Sequence, residues 1–135
     1  MITLLKTTTG EYVFGQNHVI GIDYCNETFC KEDYSLNPTH RHNKCKAIHS
    51  VIDALSWVPE FENIEYAHIG RYPCKECYIA LANRGCKEIY YSGEYELPAD
   101  LIEEMRIGLE NKPELIYIGG LDYVRVRHTR SNSIL

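Results

Sequence analysis

Between Ile64 and Ile118 the chain alternates between two hydrophobic periods, and this alternation constrains its fold more than any other feature. Ile64-Glu65-Tyr66-Ala67-His68-Ile69, Glu88-Ile89-Tyr90-Tyr91 and Leu115-Ile116-Tyr117-Ile118 are short and rich in β-branched and aromatic residues, as strands are. Helical stretches separate them: Cys74 to Asn83, closed by Arg84-Gly85, and Pro98 to Glu110. An earlier helix is expected from Cys45 to Trp57. There Ile48, Val51, Ile52 and Leu55 fall at i, i+3, i+4 and i+7 as one apolar face, and Pro59 stops it.

The N-terminal part, Ile2 to Tyr24, reads as strands broken at Thr9-Gly10 and at Gly15-Gln16-Asn17, with a well-patterned run His18 to Tyr24. Tyr123 to Arg127 alternates and is a candidate edge strand. Strands alternating with helices predict an α/β domain, a three-layer α/β/α arrangement around a mixed sheet of about five strands. At 135 residues the chain, 1–135, is expected to be a single domain.

Charge and composition exclude some functions. The net charge is −5, which argues against broad binding to a phosphate backbone. A small anion held by a few local cations is compatible with it. Local RNA contact through Arg125, Arg127, His128 and Arg130 is the alternative to a solvated final strand. No apolar run approaches the ~20 residues that span a bilayer. Met1-Ile2-Thr3-Leu4-Leu5-Lys6 lacks the layout of a secretory signal, so the expected location is the cytoplasm.

In such a compartment, six cysteines point to metal ligation or redox chemistry before structural disulfides. Pro73-Cys74-Lys75-Glu76-Cys77 places two cysteines three apart at a helix start, where the free N–H groups and the dipole favour thiolates. Alone, this spacing fits zinc ligation, a thioredoxin-like redox pair, or two unrelated buried thiols. His49, near the start of the preceding helix, adds a third zinc ligand and leaves a fourth position open, the layout of catalytic zinc sites.

His49-Ser50-Val51, followed after Leu55 by seventeen residues and then Pro73-Cys74-Lys75-Glu76-Cys77, resembles the cytidine/deoxycytidylate deaminase family, whose signature is H-x-E and then P-C-x-x-C. The flanks are similar too: Ala80 to Tyr91 looks like the family's helix, glycine turn and strand, and Val19 to Asn26 like its strand and Asn-bearing loop. The likeness spans roughly Val19 to Tyr91. The long insertion before His49 most resembles the deoxycytidylate branch.

The resemblance implies zinc on His49, Cys74 and Cys77, and hydrolytic deamination of a cytosine nucleotide. It implies that the Ser50 backbone N–H binds the pyrimidine carbonyl, that Asn26 binds the sugar, and that Arg71 or Arg41 meets a 5′-phosphate. It also implies a homo-oligomer.

The departure is Val51. It stands where the family has the glutamate that carries protons from the attacking water to the ring nitrogen and the leaving ammonia. Valine does neither, so hydrolysis is expected to be impaired or absent. Asp53 lies about 200° further round the helix and does not replace it; one turn from His49, it is instead a candidate to orient the imidazole. Valine at this position is natural in the non-catalytic partner subunit of eukaryotic tRNA adenosine deaminases, and it also fits a substitution that disables turnover. The alternative function is therefore a non-catalytic zinc-binding protein of this fold that binds a nucleotide, RNA or a partner subunit.

A second metal site is expected in the polar segment Cys25 to Lys44 and its end. Cys25, Cys30, His42 and Cys45, with His40 nearby, have the ligand types and spacing of a closed Cys₃His zinc site that orders a long loop. The alternative is unpaired thiols among solvated histidines. Cys86, at a strand start, is expected to be a small buried hydrophobe.

Overall fold

A computed structural model describes residues 2–16, 49–93 and 95–120. The expected strands His18–Tyr24 and Tyr123–Arg127, and the cluster Cys25, Cys30, His40, His42 and Cys45, lie outside these ranges, as do Asn26 and Arg41.

The hairpin comes first. Strand β1 (Ile2–Thr7) turns at Thr8–Gly10 into β2 (Tyr12–Gln16), with Gly10 at φ 94, a conformation glycine adopts without a Cβ penalty. Helix α1 (Ser50–Ser56) leads through Trp57–Asn63 to β3 (Ile64–Ile69). Then follow α2 (Lys75–Asn83), β4 (Glu88–Tyr91), α3 (Ala99–Arg106) and β5 (Glu114–Tyr117). Gly85 and Gly108, both at positive φ, stop α2 and α3.

The five described strands form one mixed sheet in the order β2-β1-β3-β4-β5. β1 pairs antiparallel with both β2 and β3, while β3, β4 and β5 run parallel. The described residues thus form an α/β fold with a five-stranded mixed sheet and three helices, as expected of a cytidine deaminase-like fold.

Register explains how the helices are seated. Val13, Leu5, Ala67, Ile89 and Leu115 form one continuous row across all five strands, and Gly15, Thr3, Ile69, Tyr91 and Tyr117 form the next row on the same face. All three described helices cover this face: Val51, Ala54 and Leu55 of α1, Cys77, Tyr78 and Leu81 of α2, and Met105 of α3 join Leu5, Ala67, Ile69, Ile89 and Tyr91 in one buried cluster. The opposite face carries the rows Phe14-Leu4-His68-Tyr90-Ile116 and Tyr12-Lys6-Tyr66-Glu88-Glu114. For that face, the three-layer expectation concerns residues outside the described ranges.

The structure differs from the sequence reading at four points, one of them the helix expected from Pro98 to Glu110, which ends at Arg106. The helix expected from Cys45 does not run through His49, whose backbone is extended (φ −67, ψ 149), so α1 begins at Ser50. Within it, Ile52 is 38% exposed rather than part of the buried face. The expected break at Gly15 is strand instead. Its lack of a side chain serves α1: a Cβ there would lie 2.5 Å from the Ala54 backbone nitrogen.

Candidate metal centre

Two helix starts meet at the centre of the site. His49 is the N-cap of α1 and Cys74 the N-cap of α2, and neither side chain caps its own helix. Both therefore turn elsewhere, and both turn to the same point. His49 Nδ1 lies 3.3 Å from Cys74 Sγ and 3.4 Å from Cys77 Sγ. All three ligand atoms fall within 4.8 Å of one another, and all three residues are buried.

The packing that fixes this convergence is traceable. β3 delivers the chain through Gly70–Pro73 to Cys74, beyond the carboxyl end of a parallel strand, where open α/β sheets hold ligands. Cys77 stands in the first turn of α2, closed by the Tyr78 N–H donating to the Cys74 carbonyl at 3.0 Å. On the other side, α1 is pressed onto the hairpin: Ser50 Oγ and Thr3 Oγ1 are hydrogen-bonded at 2.7 Å, and both residues are fully buried. The Asp53 carboxylate accepts the Gln16 backbone N–H at 3.0 Å, tying α1 to the end of β2.

The electrostatics suit a cation. The hydrogen bond with Cys77, with help from His49 and against the opposing effect of burial, lowers the Cys74 thiol to about 5. Cys86 is the contrast. It is wholly buried, donates its thiol to the Glu88 carbonyl, and is pushed up to about 12 by desolvation. A thiol of that kind stays protonated and serves packing.

The donor set also has the right dimensions. A tetrahedral site with metal–ligand bonds of about 2.0–2.3 Å separates its ligand atoms by roughly 3.3–3.8 Å. The two N···S separations fall in that range. A buried imidazole and two sulfurs can hold a metal ion here.

Other expected residues divide by position. Val51 lies in the buried cluster with Cys74 and Cys77 and is 1% exposed. Arg71 is half-buried just before the cysteines, its Nη2 donating to the Tyr72 hydroxyl at 2.7 Å and its guanidinium carbon 4.7 Å from the Tyr72 ring centroid. Tyr72 in turn meets Tyr95 edge to face at 5.5 Å.

Two contributors escaped the sequence reading. Gly15 looked like a breaker, although an isolated glycine in an alternating strand also marks close backbone approach. Thr3, a polar residue in an apolar strand, offered only its oddity as a signal.

No protein-family model and no curated protein matches the chain. Among the described residues, no helix is long and apolar enough to cross a membrane.

Proposed function

We propose that the chain is a zinc-holding protein of the cytidine deaminase type, its pocket built for hydrolytic deamination of a cytosine nucleotide and disabled in this form at Val51. One observation carries the reading: His49 Nδ1 and the sulfurs of Cys74 and Cys77 converge from two helix starts into one buried cluster. Nitrogen with two thiolates is a zinc donor set, and three protein ligands leave a fourth position for water or substrate. Zinc bound there supplies Lewis acidity and makes its water easier to deprotonate.

The chain's own residues then divide the work. Ser50, at the start of α1, presents backbone to the base. Arg71 is held on Tyr72, next in sequence to the cysteine turn, and is the cation for a nucleotide phosphate. Asn26 is assigned the sugar. Val51 supplies no proton, and losing a general acid–base costs typically ~10²–10⁴-fold in rate. A cytoplasmic location and self-association belong to the same reading.

The burial of Val51 favours a second reading. Its side chain is spent on the core, as suits a non-catalytic zinc-binding protein of this fold whose partner is a nucleotide, RNA or another subunit.

Ammonia release from cytosine nucleosides and nucleotides separates the two. The chain as it stands, Val51→Glu and Val51→Gln are compared. Turnover by the glutamate variant alone supports a deaminase pocket disabled at one residue. Silence from all three, with zinc bound and the fold intact, sinks the first reading in favour of the second.

A further inference from the structure

The two sulfurs of the metal cluster are also placed to react with each other. Cys74 and Cys77 sit at either end of one closed helical turn. Such a turn brings Cα atoms three apart to about 5 Å, inside the roughly 4.4–6.8 Å that a disulfide spans. Their sulfurs are already within 4.8 Å of each other. Closing the bond therefore needs side-chain rotation and no movement of the sheet.

We propose that Cys74 and Cys77 are a modification site, forming a reversible disulfide on exposure to a hydroperoxide and thereby switching off metal binding at His49. The loss of metal rests on the metal reading above; the disulfide does not.

The step balances as follows. The Cys74 sulfur, at the outer end of the turn, attacks one peroxide oxygen. The O–O bond breaks, leaving a sulfenic acid on Cys74 and releasing an alcohol, or water when the oxidant is hydrogen peroxide. The Cys77 sulfur then attacks the sulfenic sulfur and expels its oxygen as water. Two thiols are oxidised, one peroxide is reduced, and both thiol protons leave with the oxygens.

Burial selects the oxidant. Cys74 and Cys77 are 5% and 2% exposed, so a small hydroperoxide has access that a bulky disulfide lacks. Cys86 is not in the pair: it lies two residues before β4, with its thiol donated to the Glu88 carbonyl.

A disulfide removes two of the three ligands at once. One imidazole, His49, remains, and a metal ion held by it alone is lost to solvent.

The test uses the full chain, reduced and loaded with zinc, and titrated with hydrogen peroxide. Released metal is read with a colorimetric chelator, and the thiols are mapped after tryptic digestion without reductant. Lys75 lies between the two cysteines, so the disulfide holds peptide 72–75 to peptide 76–84. The expected result is that linked pair, two hydrogens lighter than its parts. One zinc ion leaves for each pair formed, and dithiothreitol restores both thiols and rebinding. In Cys77→Ser, Cys74 should instead advance to the sulfinic acid, which dithiothreitol does not reverse.

Sulfinic acid at Cys74 in the unmodified chain, a bond from either cysteine to a different partner, or intact thiols under excess peroxide would each overturn the proposal. A chain that takes up no zinc at this cluster but still yields the linked pair refutes the metal reading and leaves the modification site standing.

Discussion

Gly15 and Ser50 are in such close backbone contact that a Cβ on Gly15 would lie 2.2 Å from the Ser50 carbonyl oxygen. The obstacle is backbone, which cannot rotate away as a side-chain tip can. Overpacking typically costs 1–3 kcal/mol, and Gly15→Ala should reach about the upper end of that range. Because α1 follows His49 directly, metal affinity should fall with stability. Gly10→Ala is the comparison: its surroundings are open and only its positive φ resists, so it should cost about 1–2 kcal/mol and leave metal binding unchanged. Urea unfolding and zinc titration of both variants decide it. Equal effects would show that the Gly15 contact is unimportant.

Zinc content tests the ligands directly. The reduced chain should hold about two ions if Cys25, Cys30, His42 and Cys45 form the second, closed site. A count of one rejects that site. His49→Ala should remove one ion from whatever the parent holds, and so should Cys74→Ser. Chelation should lower the unfolding midpoint, since free zinc at 100 times its Kd stabilises by about 2.7 kcal/mol. An unchanged count in His49→Ala would remove it from the ligand set.

The acidified thiol gives the metal-free protein a pH dependence of defined sign. Cys74 titrates at about 5 when folded, against an ordinary value of 9. Between these values the unfolded chain holds a proton that the folded chain has shed, so stability rises with pH across the window. The contribution is fully present above 9 and is lost as pH falls through about 5. Urea midpoints of chelator-treated protein should follow this slope, and Cys74→Ser should flatten it. An equal slope in the variant would assign the effect to other groups.

Arg84 organises the connection from α1 to β3. Its Nη2 donates to the carbonyls of Val58, Pro59 and Glu62 at 3.2, 2.7 and 3.1 Å, and its Nε donates to that of Glu62 at 3.3 Å. A planar fork can serve several carbonyls at once, whereas an ammonium on a flexible stem cannot hold that geometry. Arg84→Lys should therefore cost nearly as much as Arg84→Ala, about 1–2 kcal/mol in thermal unfolding. Recovery of parent stability by lysine would mean that charge alone matters.

The parts of this fold that repeat a period were readable from the chain. β3, β4, β5 and α2 lie within a residue or so of their expected limits because alternation and glycine stops are local signals. The convergence of His49 with Cys74 and Cys77 was legible through spacing and residue chemistry. What sequence did not convey was tertiary. Gly15 stays in β2 because a helix thirty-five residues later lies against it. Ile52 fits an apolar helical stripe yet faces outward, because α1 meets the sheet through Val51, Ala54 and Leu55. His49 interrupts an apparently continuous helical pattern, since its backbone must be extended where it caps α1.

The brevity of α1 has a consequence for how the molecule opens. Seven residues are too few for a helix to persist in water on its own propensity. It is held by Gly15 and Thr3 beneath it and by the meeting of His49 with the two cysteines at the start of α2. With the His49 link intact, the amides of α1 should exchange with deuterium only when α2 also lifts, as one cooperative unit. Without that link, α1 becomes a separate foldon of lower free energy, detaching from a sheet that stays closed.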